Sequence, residues 1–326
     1  MATLVRVSSG TASVLGLVDI HLDAPPTTAY LMVGGRCRLD CGFCAQARHS
    51  KASAAALSRV NWPVWEENEV LAAVVEGYAS GKIERCCLQV TVNTAYLERV
   101  KEIATRIGMR VPLGASVVAN TNQAGELLES GLERVGLSLD AVNEESYRRV
   151  RGGDLPATLS IIEEAARRFP HRIVTHLMAG LGESEEEMVR MIAQLREWGV
   201  TTALFAFTPV PGTAMEHERP PTVASYRRIQ VCHHLMKQGL AKADDFEYSS
   251  RGEIASFGLA DGELEAALSD GKAFETSGCP GCNRPYYNEP PSGPLYNYPR
   301  SLARDEVRKA VEAALTQPCS GSKPAR

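Results

Sequence analysis

Three cysteines, Cys37, Cys41 and Cys44, stand at C-x3-C-x2-C spacing within GRCRLDCGFCAQARHS, residues 35–50. Three thiolates on one short loop can each hold one corner of a cubane iron–sulfur cluster and leave the fourth iron open. A structural zinc site is instead closed by four protein ligands. The spacing favours the cluster, and the alternative is a zinc knuckle completed by a residue such as His49. A second pair, Cys279 and Cys282, lies in GCPGCNRPYYNEP. Cys86 and Cys87 are adjacent, and Cys232 within RRIQVCHHLMK reads as a packed core thiol. Cys319 reads as a free thiol near the C-terminus. Nine cysteines in such groups suggest metal or redox chemistry rather than a disulfide framework.

The elements that must carry these groups alternate in type. Short β-rich runs are TAYLMV (28–33), IERCCLQV (83–90), RVPLGASVV (110–118), RVGLSLD (134–140), RIVTHLMAG (172–180), TTALFAFTP (201–209) and DFEYSS (245–250). Between the first six, and after the sixth, lie stretches such as AYLERVKEIATRI and ESEEEMVRMIAQLREWG. Their apolar residues recur at i, i+3, i+4 and i+7, as in helices packed on one face. Strand–helix repetition of this kind predicts a parallel sheet with right-handed crossovers, curling fully or partly into a TIM-type α/β barrel. The triplet follows the first of these strands, at the C-terminal rim where such barrels keep their reactive groups.

The expected organisation is an N-terminal extension (1–27), a barrel (28–255), a C-terminal cap with the CPxC loop and a terminal helix (256–315), and a disordered tail (316–326). Only about 250 residues are needed for a barrel of this class, and the chain has 326. The composition, 44% hydrophobic and 23% charged, is that of a globular protein, and a net charge of −4 argues against a nucleic-acid surface. No run approaches the ~18–20 apolar residues of a membrane span. The first residues lack the compact apolar region of a signal peptide. A cytoplasmic location is the expectation.

With an aromatic, Phe43, before its last cysteine, the triplet resembles the signature of the radical S-adenosylmethionine superfamily. Its continuation CGFCAQAR is similar to the biotin synthase branch, and the resemblance covers roughly residues 28–255. It implies a [4Fe–4S] cluster on Cys37, Cys41 and Cys44 whose unique iron chelates the methionine moiety of S-adenosyl-L-methionine. Electron transfer would then release a 5′-deoxyadenosyl radical able to attack an unactivated C–H bond. GLSLDA (136–141) resembles the segment whose Asp contacts the cofactor ribose, which assigns that contact to Asp140 with Ser138 beside it. AGLGESEEE (179–187) resembles the Gly-x-Gly-Glu turn near the adenosyl group, with Gly180, Gly182 and Glu183. FTPVPGT (207–213) resembles the segment beside the adenine. Each has a plainer alternative: a strand-end Asp capping the next loop, a helix N-cap with acidic residues favoured by the dipole, and a Pro-Gly turn.

The remaining cysteines bear on the reaction. Biotin synthases hold a second, sacrificial cluster with three cysteines and one arginine. Here Cys87 fits the second-strand position and Arg251, in FEYSSRGE, the arginine position. RVPLGASVV and RIVTHLMAG supply no cysteine, so the [2Fe–2S] site of biotin synthases lacks two ligands. Cys279 and Cys282, folded back over the barrel mouth, could instead join Cys87 or Cys86 in an auxiliary [4Fe–4S] cluster, with Ser250 or Arg251 at its fourth iron. A zinc half-site completed by His233/His234 or Cys86/Cys87 is the alternative.

An auxiliary cubane in such a barrel resembles the two-protein lipoyl synthases. That resemblance implies sulfur insertion into a protein-bound octanoyl chain, a paired second synthase protein, and a one-electron donor such as ferredoxin or flavodoxin. A variant biotin synthase acting on dethiobiotin, or a radical enzyme of this barrel without sulfur insertion, remains open. Ser138 in place of a polar amide, and a cap carrying Arg284, Tyr286 and Tyr287, favour the peptide-borne substrate.

Overall fold

The computed structural model describes residues 3–316; apart from Thr316, the tail expected over 316–326, with Cys319, lies outside them. The chain opens with β1 (Leu4–Val7), α1 (Ser9–Val14) and β2 (Thr28–Val33), and continues through β3 (Val64–Glu66) and α2 (Glu67–Ala79). It then alternates β4 (Arg85–Val90), α3 (Tyr96–Ile107), β5 (Leu113–Val117), α4 (Thr121–Glu129) and β6 (Arg134–Leu137). After α5 (Glu144–Val150) and α6 (Leu155–Arg168) come β7 (Ile173–Ala179), α7 (Glu185–Glu197), β8 (Thr201–Ala206) and α8 (Val223–Gln238). Helices α9 (Asp261–Leu268) and α10 (Arg304–Leu315) complete it.

Helix starts follow local chemistry. Asn120 and Ser184 cap α4 and α7 in reciprocal boxes with Gln123 and Glu187, and Asp154 caps α6, where Pro156 is tolerated in the first turn. Helix α8 ends at Gly239 in the left-handed conformation that glycine adopts freely.

The eight strands form one sheet in the order β8-β7-β6-β5-β4-β2-β1-β3. Pairs β2–β4, β4–β5, β5–β6, β6–β7 and β7–β8 are parallel, while β1 runs antiparallel between β2 and β3. The sheet does not close on itself among the described residues, so the architecture is a partial TIM-type barrel with an open side between β8 and the β2 end. Strand alternation sorts the side chains. Leu31, Val33, Cys86 and Leu88 join the core beneath the helices, whereas Tyr30, Cys87, Gln89, His176 and Phe205 line the barrel interior.

Two expectations change. The stretch 245–250 does not add a seventh parallel strand: Glu247–Tyr248 pairs only with Ile254–Ser256 in a separate ribbon. The reason is the tight reversal through Ser249–Gly252, which leaves no length for a sheet strand. The N-terminal stretch supplies β1, a four-residue strand that periodicity is too short to reveal.

The segment from Glu275 to Tyr298 does not lie over the mouth. It runs along the free edge of β8 and walls the open side. Ser277 Oγ accepts from Leu204 N–H (2.9 Å), and Asn288 Nδ2 donates to Ala206 O (2.9 Å). At the lower end Arg85 Nη1 donates to Pro280 O (2.9 Å), and Thr27 hydroxyl donates to Gly281 O. The CPxC loop is therefore a floor at the strands' N-terminal ends. Higher up, the Tyr287 ring lies 5.5 Å from Tyr30 and 6.1 Å from Trp62, pairs worth ~0.5–1.5 kcal/mol each beyond area burial. Buried Glu185 and Arg228, 2.5 Å apart, tie α7 to α8, and Glu185 also accepts from Ile254 N–H.

Candidate active site at two cysteine poles

The loop after β2 is stapled by side-chain donors to its own carbonyls. Arg36 reaches Ala45 O (2.6 Å) and Ala52 O (3.0 Å), while Gln46 reaches Ala54 O (3.0 Å) and Ala56 O (2.6 Å). Backbone bonds from Gly42 to Val150 O (2.7 Å) and from Arg38 to Val92 O (2.7 Å) fix it to two neighbouring loops. So held, Cys37, Cys41 and Cys44 line a cavity of about 140 Å³ at the C-terminal ends of the strands, with Phe43, Ser138, Asp140 and Arg151. Two backbone N–H groups, of Leu39 and Val92, lie 3.4 and 3.3 Å from Cys37 Sγ. Burial raises the Cys41 thiol and pushes Cys44 up to about 12. These thiols are neutral as they stand, and a bound metal would release their protons.

Among the described residues, no three His, Cys, Asp or Glu side chains converge as ligands of a single ion would. A cubane, with one thiolate per iron, asks for sulfurs set further apart than a single ion does, and this donor set fits it. His49, the alternative fourth zinc ligand, turns away: its side chain is 74% exposed and bonds to Asp40 at 2.8 Å.

Asp140 and Ser138 line the cavity. Asp140 has left-handed φ (66°), stabilised by bonds to β7: its N–H donates to His176 O, and its carbonyl accepts from Met178 N–H, both at 2.8 Å. Its carboxylate meets Arg151 Nη1 at 2.7 Å, both side chains nearly closed to solvent. Burial pushes the Asp140 carboxyl up, and Arg151 opposes that shift. Sequence reasoning missed Arg151, which stands at the end of the unexpected helix α5. The guanidinium Nε is buried without a partner, a donor free to meet a ligand's acceptor.

Gly180, Gly182 and Glu183 do not line this cavity. A Cβ on Gly180 would lie 2.6 Å from Pro221 Cδ, and one on Gly182 3.0 Å from Arg149 Nη2; both residues have positive φ. The Glu183 carboxylate accepts from Gly180 and Leu181 N–H at 2.7 and 2.9 Å. In this conformation the three are occupied with their own turn.

A second cavity of about 180 Å³ continues inward, sharing Phe43, Cys44, Asp140 and His176 with the first. At its far end stand Cys87, Cys279 and Cys282. Register explains the first of these: Cys87 pairs with Tyr30 on β2 and Gly114 on β5, and faces inward where Gly114 leaves space. Cys86 is fully buried on the opposite, helix-packed face, which settles which of the two reaches the interior. Gln89 Nε2 lies 3.3 Å from Cys87 Sγ, and Tyr30 Oη 3.1 Å from Cys282 Sγ. Burial raises Cys87 strongly, with further contributions from Cys279 and Cys282, so the three thiols are electrostatic neighbours.

Ser250 and Arg251 do not join them. Both are exposed in the Ser249–Gly252 turn, which packs by Gly252 against Ser184 at the start of α7, outside either cavity. His233 lines a separate cavity near the strands' N-terminal ends. Arg284 and Tyr287, which were expected at an open mouth, instead face the inner cavity.

His176 sits between the poles, its ring 5.0 Å from that of Phe205. Burial, then Arg284 and Arg151, lower its pKa to about 3. As pH falls, the unfolded chain takes up a proton near the ordinary value of 6.5, before the folded one does. The stabilisation is complete above 6.5 and is lost between there and about 3. At pH 5 the apo-protein should lose about 1–2 kcal/mol through this residue. Denaturant midpoints at pH 7 and pH 5 measure it, and His176→Gln should show a correspondingly smaller drop.

No helix among the described residues is long and apolar enough to cross a membrane. The Radical SAM superfamily profile matches residues 31–195, half of the chain. The chain is 29% identical over 169 residues to the biotin synthase of Magnetococcus marinus, covering 50% of each. It is 27% identical over 194 residues to that of Acidithiobacillus ferrooxidans, covering 57% of this chain and 59% of the relative. Another relative is the GTP 3′,8-cyclase of Limosilactobacillus fermentum, 25% identical over 171 residues and covering 50% of each. The chain thus spans between half and three-fifths of the length of these relatives. In fold it is similar to the FeFe-hydrogenase maturase HydG from Carboxydothermus hydrogenoformans, with TM-score 0.51 and 15% identity over 65% of this chain and 51% of that one. With the cysteine triplet at the rim of a partial α/β barrel and a sequence similar to biotin synthases, the chain belongs to the radical S-adenosylmethionine superfamily.

Proposed function

We propose that this protein inserts sulfur into an unactivated alkyl C–H bond, and that its substrate is an octanoyl chain carried on a protein, as for a lipoyl synthase. Membership of the superfamily implies a [4Fe–4S] cluster and S-adenosylmethionine. Bound at the triplet, they supply a 5′-deoxyadenosyl radical, and a second cluster at the inner pole would supply sulfide. The single observation that carries the reading is the pair of three-cysteine poles at opposite ends of one continuous interior.

Each part of the chain has a task in this scheme. Cys37, Cys41 and Cys44 hold the first cluster, and Phe43 shields it. Arg151 offers a guanidinium to the cofactor's carboxylate, while Asp140 orients that guanidinium and Ser138 lines the same wall. Leu57, Val174, Met178, Ala203, Phe205 and Val210 give the space between the poles an apolar lining. Such a lining suits an alkyl chain and keeps out water, which would quench a radical. Cys87, Cys279 and Cys282 hold the sulfur donor. The paired synthase protein and the ferredoxin- or flavodoxin-type electron donor belong to this proposal.

A second reading, conversion of dethiobiotin to biotin on a non-standard auxiliary cluster, is favoured by the biotin synthase relatives. Anaerobic incubation with dithionite, S-adenosylmethionine and either an octanoyl-lysyl peptide or dethiobiotin separates the two by product mass. Sulfur should appear in the peptide. Cys279→Ala should abolish that product yet still release 5′-deoxyadenosine. Unchanged product from Cys279→Ala would remove sulfur insertion from the account.

A further inference from the structure

We propose that Arg284 is the cation that sets the reduction potential of the inner cluster, acting through charge and N–H donors without ligating iron. The inference rests on the inner-cluster reading above and deepens it. Arg284 follows Cys282 by two residues, and its backbone is in the left-handed region at φ 35°, strained for a residue with a side chain. The guanidinium carbon sits 3.8 Å from the centroid of Phe205. Nη2 donates to Ser277 O (2.9 Å) and lies 3.3 Å from Leu204 O. Nε and Nη1 are buried with no partner.

Three other buried guanidiniums hold carboxylates, Arg85 with Glu133, Arg151 with Asp140 and Arg228 with Glu185, while buried Arg227 donates to Gln230 and to the carbonyls of Leu295 and Tyr296. Arg284 has no carboxylate partner among the described residues. A buried cation without a counter-ion is costly, as are buried N–H groups without acceptors. Yet Arg284 lines the same cavity as Cys87, Cys279 and Cys282, which would bind a cluster as thiolates. The arrangement is complementary only to the loaded site, where three thiolates and the sulfides supply both the negative charge and the acceptors. Positive charge and N–H donors beside such a cluster raise its potential.

That effect matters for the reaction. When a carbon radical and a sulfide electron pair form a C–S bond, one electron is left over and reduces one iron. No proton moves in that step. A guanidinium at the inner pole favours this electron uptake.

The test isolates the inner cluster in a Cys37→Ala/Cys41→Ala/Cys44→Ala background, reconstituted anaerobically. Iron in that protein establishes the inner site independently of Arg284, and its absence would overturn the reading and this inference together. Redox titration followed by electron paramagnetic resonance then compares Arg284 with Arg284→Gln, Arg284→Met and Arg284→Lys. Loss of charge should lower the reduced-to-oxidised ratio at fixed potential at least tenfold, equivalent to about 59 mV for one electron. Arg284→Lys should recover most of it. A loaded Gln or Met variant whose ratio stays within about twofold of the parent overturns the proposal. So would an unmoved potential accompanied, in Arg284→Gln with the rim triplet intact, by a raised KM confined to carboxylate-bearing substrates, since Arg284 would then serve the substrate.

Discussion

Cys87→Ala should reduce sulfur-containing product to background, whereas its immediate neighbour Cys86→Ala should leave turnover near wild type. The contrast follows from strand geometry. Successive side chains on β4 point to opposite faces, so Cys87 enters the interior with Cys279 and Cys282 while Cys86 packs beneath the helices. Removing Cys86 deletes one buried sulfur and should cost about 1–2 kcal/mol of stability by denaturant midpoint. Removing Cys87 should cost little stability in the apo-protein, because its side chain borders a cavity. Equal loss of product in the two variants would mean that the strand register is not what selects the ligand.

Asp140→Asn is the second large effect. It should destabilise the apo-protein by about 3–5 kcal/mol and sharply weaken S-adenosylmethionine binding. Asparagine tolerates the left-handed backbone at φ 66° and nearly preserves shape, so the change isolates the lost charge. What remains is Arg151, buried and always protonated, without its partner at 2.7 Å. Asp140→Asn/Arg151→Gln should recover at least half of the loss, because both charges are then gone. Chemical denaturation of the four proteins closes the cycle. A double variant as unstable as Asp140→Asn alone would show that the pair is not the source of the cost.

The parts of this architecture that sequence makes plain are those with strong periodicity. Six parallel strands and their crossover helices follow from alternation of apolar patterns, and the triplet is legible because three thiols on one rim loop have few uses. Cys279 and Cys282 are visible as a pair, but their position as a floor is not. It depends on Thr27, Arg85 and the free edge of β8, residues distant in sequence. The choice of Cys87 needed register, which only pairing with Tyr30 and Gly114 supplies.

Ser250 and Arg251 illustrate the reverse. Alignment put Arg251 at a ligand position and Ser250 was the alternative at the fourth iron, but a tight turn against Ser184 holds both outside. Arg151 carried no motif, and its helix is too short for a periodic signal. The free donors of Arg284 and the Tyr30–Cys282 contact appear only once the wall is folded. Their local clue was a strand spacing of two residues, which places Tyr30 on the same face as Met32.

The central claim is that each cysteine pole holds its own cluster, and iron and acid-labile sulfide content after anaerobic reconstitution tests it most directly. Wild type should hold about eight irons per chain, and Cys279→Ala/Cys282→Ala about four with S-adenosylmethionine cleavage retained. An iron content unchanged by that double substitution would contradict it.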